Sequence, residues 1–422
     1  MKRIILTAGA AAVCFFLLGI LQGCIKDSYE STQTFTYYQP VYKTAAEVRA
    51  NIKSNTPQPI QRPGKIYKYG QYIFLNELDK GIHVINNKNP SQPQRVAFID
   101  IPGNMDIAVK NNILYADLYT DLIALDISNP EQVVLKKVIE NVFPHRYWNS
   151  FVADTTMIIA SWVQKDTVVK SKGDFQNWLN RNVTIFFVST QLWDAFSNKA
   201  SAAPYGVGGS MARFTITNDR LYTVGHSDLD VFNITDPVEP QHSSHKNVGW
   251  NIETIYPFMG NLFIGSQSGM YIYSISNPDN PVQTGQFNHV RSCDPVIADD
   301  KYAYVTLRSG TACQGFTNEL DILQLNGLTN PTLLKVYNLT NPHGLSKDGS
   351  VLFVCDGQDG LKIYNAADVM NLTMIKQLEN LDAYDVITMQ GNALVVAKDG
   401  LYQFDYSNLA NIRLLSKMDI SK

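Results

Sequence analysis

Polar residues recur at matching places along an otherwise apolar, repeating chain. Asp106, Glu253, Asp294, His343 and Asp385 each stand where an apolar run opens a new unit of about forty residues. Arg213 and Arg291 lie close to other such starts, and His145-Arg146 precede one more. Carboxylates gathered with a histidine can hold a hard cation or a polar ligand, or divide acid and base roles between them. The same residues have a plainer use: a buried carboxylate at a strand start accepts N–H groups of the neighbouring unit. A second set falls between the second and third runs of the units: Glu77, Asp79, Asp117, Asp121, His226, Asp228, Arg308, Asp356 and Asp359, with Tyr119, Trp250 and Tyr384 adding aromatic surface. An acidic, aromatic rim suits a glycan or a protein partner, although connecting loops are polar in any case. Asp356-Gly357-Gln358-Asp359-Gly360 hints at a structural calcium loop but lacks the spacing and closing Glu of an EF-hand. No other cofactor is indicated.

Enzymatic signatures are scarce. There is no GxSxG elbow, no HExxH, no phosphate-binding P-loop and no CxxCH haem site. The net charge of -3 gives no electrostatic case for nucleic acid. The non-enzymatic reading therefore leads, and a glycan-active hydrolase or lyase using the acidic ring is the alternative.

The elements that must position these residues are short strands. In the stretch 105–130 an apolar run (107–109) is followed by a turn, a second run (113–116), a polar turn and a third run (122–127) that closes on Ser128-Asn129-Pro130. A fourth run, 133–139, completes the unit. Comparable units restart near Lys65, Met211, Ile252, Cys293, His343 and Tyr384. One four-stranded unit cannot bury both of its faces, whereas radial stacking buries each against the next. The expected fold is an all-β propeller of four-stranded blades. A further unit, drawn from 148–153, 157–163, 168–170 and 183–188, makes the count eight; the alternative is seven, with that segment a long loop. An insertion near 165–206 carries Trp178 and Trp193. Glycines before the third runs (Gly81, Gly269, Gly360 and Gly400) are expected to supply positive φ in hairpin turns.

The third-run segments LIALDISNP and MYIYSISNP resemble the LVIVD repeat of bacterial and archaeal surface proteins. The resemblance covers roughly residues 65 to 422. It implies a β-propeller at the cell surface and brings no catalytic residues with it.

The N-terminus reads as a targeting segment. Lys2 and Arg3 precede an apolar stretch, 4–21, that ends at Leu21-Gln22-Gly23-Cys24. This resembles a bacterial lipobox, and Lys26-Asp27 with Glu30 resembles the export tag of Bacteroidota surface lipoproteins. The organisation expected is thus a signal peptide (1–23), a tether (24–62) lipidated at Cys24 with a short helix near 44–49, and a propeller (63–422). The protein is expected to be anchored in the outer membrane, facing the periplasm or the cell exterior, and to meet an envelope protein or a glycan. In that oxidising setting Cys293 and Cys313 are expected to pair, stabilising by roughly 3 kcal/mol. Cys355, closing the apolar run 351–354, reads as a buried free thiol.

Overall fold

The computed structural model describes residues 31–144, 147–148, 151–152, 157–171, 207–288, 295–309 and 317–420. The chain divides into two compact units, Met1–Gln39 with Gln164–Phe187, and Pro40–Val163 with Val188–Lys422. In the first unit the described residues belong to two strands, Ser31–Thr44 and Met157–Ser171, which pair in a two-stranded sheet.

The second unit holds the propeller. Among the described residues there are seven antiparallel blades: 63–100, 107–139, 214–247, 252–288, 296–338, 345–378 and 383–419. Each runs from an innermost first strand to an outermost fourth. The eight-bladed expectation is corrected to seven. Met157–Ser171 forms one strand through both the second and third runs assigned to the extra unit, because 164–167 (Gln-Lys-Asp-Thr) offers no glycine or proline to reverse the chain. Tyr147–Trp148 and Phe151–Val152 make a separate short hairpin. The decisive contacts join blades 2 and 3 directly. Lys110 Nζ donates to Ile234 O at 2.7 Å and Tyr115 Oη to Pro237 O at 2.7 Å, so no blade stands between them.

Burial falls off radially. The second strand of blade 2, Ile113–Leu118, is buried at every residue. The fourth strand of blade 3, Gln241–Asn247, is largely exposed. The Asn-Pro turns do more than stop strands: a second-strand tyrosine of the preceding blade bonds one of their carbonyls, as Tyr222 Oη does with Pro278 O at 2.9 Å. Blade 7 closes onto blade 1 through a shared apolar cluster that includes Ile66, Ile73, Leu394 and Val396. Asn87 and Gln403 exchange two amide hydrogen bonds, of 2.9 and 2.8 Å, across the same seam.

Of the four turn glycines, Gly360 (φ +84) and Gly81 (φ +149) have the positive φ expected, and Gly269 and Gly400 do not. Gly269 is not in the positive-φ region; a Cβ there would stand 2.4 Å from Phe287 O on the fourth strand. At Gly269, close approach of that strand rather than turn handedness selects glycine.

The helix forms where its capping signal predicts. Helix α1 (Ala45–Ala50) begins at Thr44, whose Oγ1 accepts from Glu47 N at 3.2 Å while Glu47 Oε2 accepts from Thr44 N at 2.7 Å. Val48 and Ile52 bury against blades 1 and 2, and Arg49 bonds Asp121 at 3.0 Å. Ser54–Asn55 pairs with the fourth strand of blade 1, covering its edge. Residues 40–62 thus lie packed on the propeller.

Candidate functional site

At the centre of the propeller an ammonium faces two carboxylates. Lys65, on the first strand of blade 1, places Nζ 3.2 Å from Asp106 Oδ2 and donates to Met211 O at 2.9 Å. Both side chains are 3% exposed. Asp106 accepts the backbone N–H of Ile107 at 2.8 Å and of Phe214 at 3.3 Å, and also that of Arg213. Asp106 therefore joins the first strands of blades 1, 2 and 3, as the plainer reading of strand-start carboxylates anticipates.

Asp385, from blade 7, completes the array. Its Oδ1 accepts Val386 N at 3.0 Å, and Oδ2 is buried. Burial pushes the Asp385 carboxyl up to about 7; the Val386 N–H and Lys65 hold it down, and Asp106 raises it further. Asp106 is also raised, chiefly by burial, with Lys65 opposing. One ammonium thus serves two carboxylates, and a proton retained on Asp385 leaves the array neutral.

A glycine-rich segment closes this centre. Val207–Gly208 pairs with Lys68 and Tyr67 on the inner edge of blade 1, adding a strand inside the ring. A Cβ on Gly209 would stand 2.1 Å from Asp385 Oδ2, so only glycine fits. Ser210 Oγ accepts Leu345 N of blade 6 at 2.7 Å. The segment therefore bonds blades 1 and 6 and packs on the carboxyl of blade 7. Sequence reading missed Lys65, Gly209 and Ser210. Their signal was the run Gly206-Val207-Gly208-Gly209-Ser210, too glycine-rich for a free-standing strand, and a lone lysine opening an apolar one.

The other candidates separate by exposure. Glu253 is 6% exposed and accepts Gln267 Nε2 at 3.3 Å. His343 is 3% exposed, with Arg308 Nη1 3.0 Å from its Nδ1 and the Tyr384 ring 5.1 Å away. Burial and the Arg308 charge push His343 well below the ordinary histidine range, so the imidazole is neutral. Arg213 donates to Gly225 O at 3.1 Å and Ile252 O at 3.0 Å, tying blade 3 to blade 4. Trp250 is the contrast: it is 53% exposed, set edge-to-face with His226 at 5.8 Å. His145, Arg146, Arg291, Asp294, Cys24 and the Cys293–Cys313 pair lie outside the described residues.

Three of the loop carboxylates share one structural task. Glu77, Asp117 and Asp356, each at or beside the end of a second strand, accept consecutive backbone N–H groups ahead of their own blade's first strand. The donors are Gln61 and Arg62, Met105 and Asp106, and Thr340 and Asn341. In the expected calcium loop, Lys362 Nζ sits 2.5 Å from Asp356 and 3.1 Å from Asp359, where a cation would have to bind. Among the described residues no three His, Cys, Asp or Glu groups are arranged to hold a metal ion. Cys355 is a free, fully buried thiol, pushed well above its ordinary range by burial and by Asp385 and Asp356.

No family model matches the chain, and no curated protein matches it. Solved structures do. The periplasmic gluconolactonase PpgL of Pseudomonas aeruginosa is similar at 12% identity and a TM-score of 0.50, covering 85% of this chain and 96% of that one. BamB from Moraxella catarrhalis is similar at 8% identity and a TM-score of 0.47, covering 89% and 98%. PorZ, a surface component of the type-IX secretion system of Porphyromonas gingivalis, is similar at 12% identity and a TM-score of 0.48, covering 87% of this chain and 40% of that one. At such identities likeness extends to the fold alone: this chain is a β-propeller of four-stranded blades.

Proposed function

We propose that this protein is a non-enzymatic binding or assembly scaffold of the bacterial cell envelope, lipid-anchored through Cys24 at the outer membrane. It would be an LVIVD-type propeller that presents a rigid rim to a protein or glycan partner. The observation that carries this reading is the division of the candidate residues. Asp106, Glu253, His343 and Asp385 are each at most 6% exposed, whereas Trp250 stands 53% exposed on the link between blades 3 and 4. Buried groups that bond one another make a frame; an exposed aromatic held in place by a neighbour makes a contact. A stiff frame lowers the ordering cost of binding. No helix among the described residues is long and apolar enough to cross a membrane; in this reading the Cys24 lipid supplies the anchor. The names of similar propellers span an enzyme, BamB and a secretion-system component, and the shared fold does not choose among them.

The test is affinity purification of the detergent-solubilised protein from its native membrane, with Trp250→Ala alongside. A stoichiometric partner that is lost in the variant supports the scaffold. A clean monomer, or a partner retained in full by the variant, counts against it.

One observation favours the enzymatic alternative. Burial pushes the Asp385 carboxyl up to about 7, the range of a general acid, but the Gly209 segment packs on it, so this reading requires that segment to move aside. Turnover of a glycan panel that disappears in Asp385→Asn would support it, and absence of turnover in the wild type would remove it.

A further inference from the structure

Away from the channel, a cavity of about 420 Å³ opens between blade 1 and the segment that carries helix α1. This is within the range of about 300–1,000 Å³ typical of small-molecule sites. Val48 and Phe98 form apolar wall, and Lys43, Asn51, Gln58, Gln61, Lys80 and Asp100 bring polar groups to it.

The hydrogen-bond capacity left over in those groups decides what the cavity can hold. Glu77 also lines it, but its carboxylate already accepts Gln61 N at 3.1 Å, Arg62 N at 2.8 Å and His83 Nε2 at 3.0 Å. Burial raises the Glu77 carboxyl, and these donors outweigh it and hold it below the ordinary range, so it is ionised and internally satisfied. Asp100 takes amide donors from Asn51, at 3.3 Å, and from Asn55. The ammoniums are less engaged. Lys80 Nζ gives one hydrogen bond to Gln61, at 2.7 Å, and stands 3.9 Å from Glu77. Lys43 makes no hydrogen bond or ion pair among the described residues and is felt by Asp100 as a favourable charge. An ammonium has three donors, so the cavity presents unused cationic donors beside side-chain amides that both donate and accept.

We propose that this cavity binds a small hydroxylated carboxylate of the sugar-acid class. The ligand carboxylate would pair with Lys80 and Lys43. Its hydroxyls would meet the amides of Asn51 and Gln58 and the Asp100 carboxylate, and its C–H face would lie on the Val48–Phe98 wall. An amino sugar would bring its cation against two ammoniums, and a neutral sugar would leave both without a counter-charge. The site is separate from the Trp250 rim and does not depend on it.

The experiment is isothermal titration calorimetry of the full chain with D-glucuronate, D-glucose and D-glucosamine, on wild type, Lys43→Ala, Lys80→Ala and Trp250→Ala. Glucuronate should bind saturably, glucose and glucosamine at least tenfold more weakly. Each lysine variant should weaken glucuronate at least tenfold while keeping the wild-type melting temperature, and Trp250→Ala should leave glucuronate binding unchanged. Absence of glucuronate binding, equal binding of glucose, or glucuronate binding retained in both lysine variants would overturn the proposal. Trp250→Ala abolishing it would overturn the separation of the two sites.

Discussion

The propeller centre and the blade 1 cavity are built from the same residue types and end in opposite states. Each sets lysine beside two carboxylates. At the centre, Lys65 is 3% exposed, bonded to Asp106 and to a carbonyl, and capped by a segment whose glycine leaves no room beyond Asp385. In the cavity, the Lys80 side chain is 51% exposed and gives one hydrogen bond, while the carboxylates are met by amides and backbone. A cluster of charges therefore does not mark a ligand site by itself. Donors left unused at an accessible wall mark it better, and donors consumed inside the fold mark a frame.

That contrast can be broken most forcefully at the centre. Lys65→Met removes the ammonium that neutralises Asp106 and leaves a buried carboxylate with backbone donors alone. Loss of one partner of a buried pair costs about 3–5 kcal/mol, and chemical denaturation should show a drop of that size. Gly209→Ala should cost about 1–3 kcal/mol, because its Cβ would meet the Asp385 carboxyl at 2.1 Å and that carboxyl is buried and held by Val386 N.

Asp385→Asn should act in the opposite direction and with pH. A folded-state value raised to about 7 means that the folded protein holds a proton which the unfolded chain has released. The stability this contributes is complete below the unfolded value near 3.8 and is lost as pH rises to about 7. The variant removes that dependence. Relative to wild type it should gain stability from pH 4 to 7 and stay level above, with a ceiling of about 4 kcal/mol at 1.36 kcal/mol per pKa unit. Denaturation midpoints across that range read the slope directly. A difference between the two proteins that does not vary with pH would mean that Asp385 is ionised throughout.

The smallest effects on stability belong to the sites proposed to bind. Lys80→Ala and Trp250→Ala alter exposed side chains, and each should change stability by no more than about 0.5 kcal/mol. Thermal melts of both variants check this. A larger loss in either would class that residue with the frame.

How much of this was legible in the sequence follows from how local each signal is. The third strand of every blade stands where its apolar run and closing turn place it, because alternation and turn residues act over a few positions. Helix α1 was legible for the same reason, from Thr44 and Glu47. The blade count was not. The run 157–171 has strand character whether it builds a blade or pairs with a distant strand, and its observed partner, Ser31–Thr44, lies more than a hundred residues earlier in a stretch that reads as tether. The strand-start carboxylates could be found but not sorted. Asp106 and Trp250 are both polar-rim candidates in the sequence, and their separation depends on which chain segments cover them. Lys65 and Gly209 escaped notice because their roles exist only once blades 1, 2 and 7 and the glycine segment meet. The cavity escaped notice because residues 40–62 read as tether, whereas they fold back onto blade 1.

The most direct test of the contrast is amide hydrogen exchange of the full chain with and without saturating D-glucuronate. Slower exchange confined to residues 43–61 and 98–102, with Leu345 and the 207–213 segment unchanged, is the predicted result. Slower exchange at 207–213, or none in either region, would contradict the division into a closed frame and an open site.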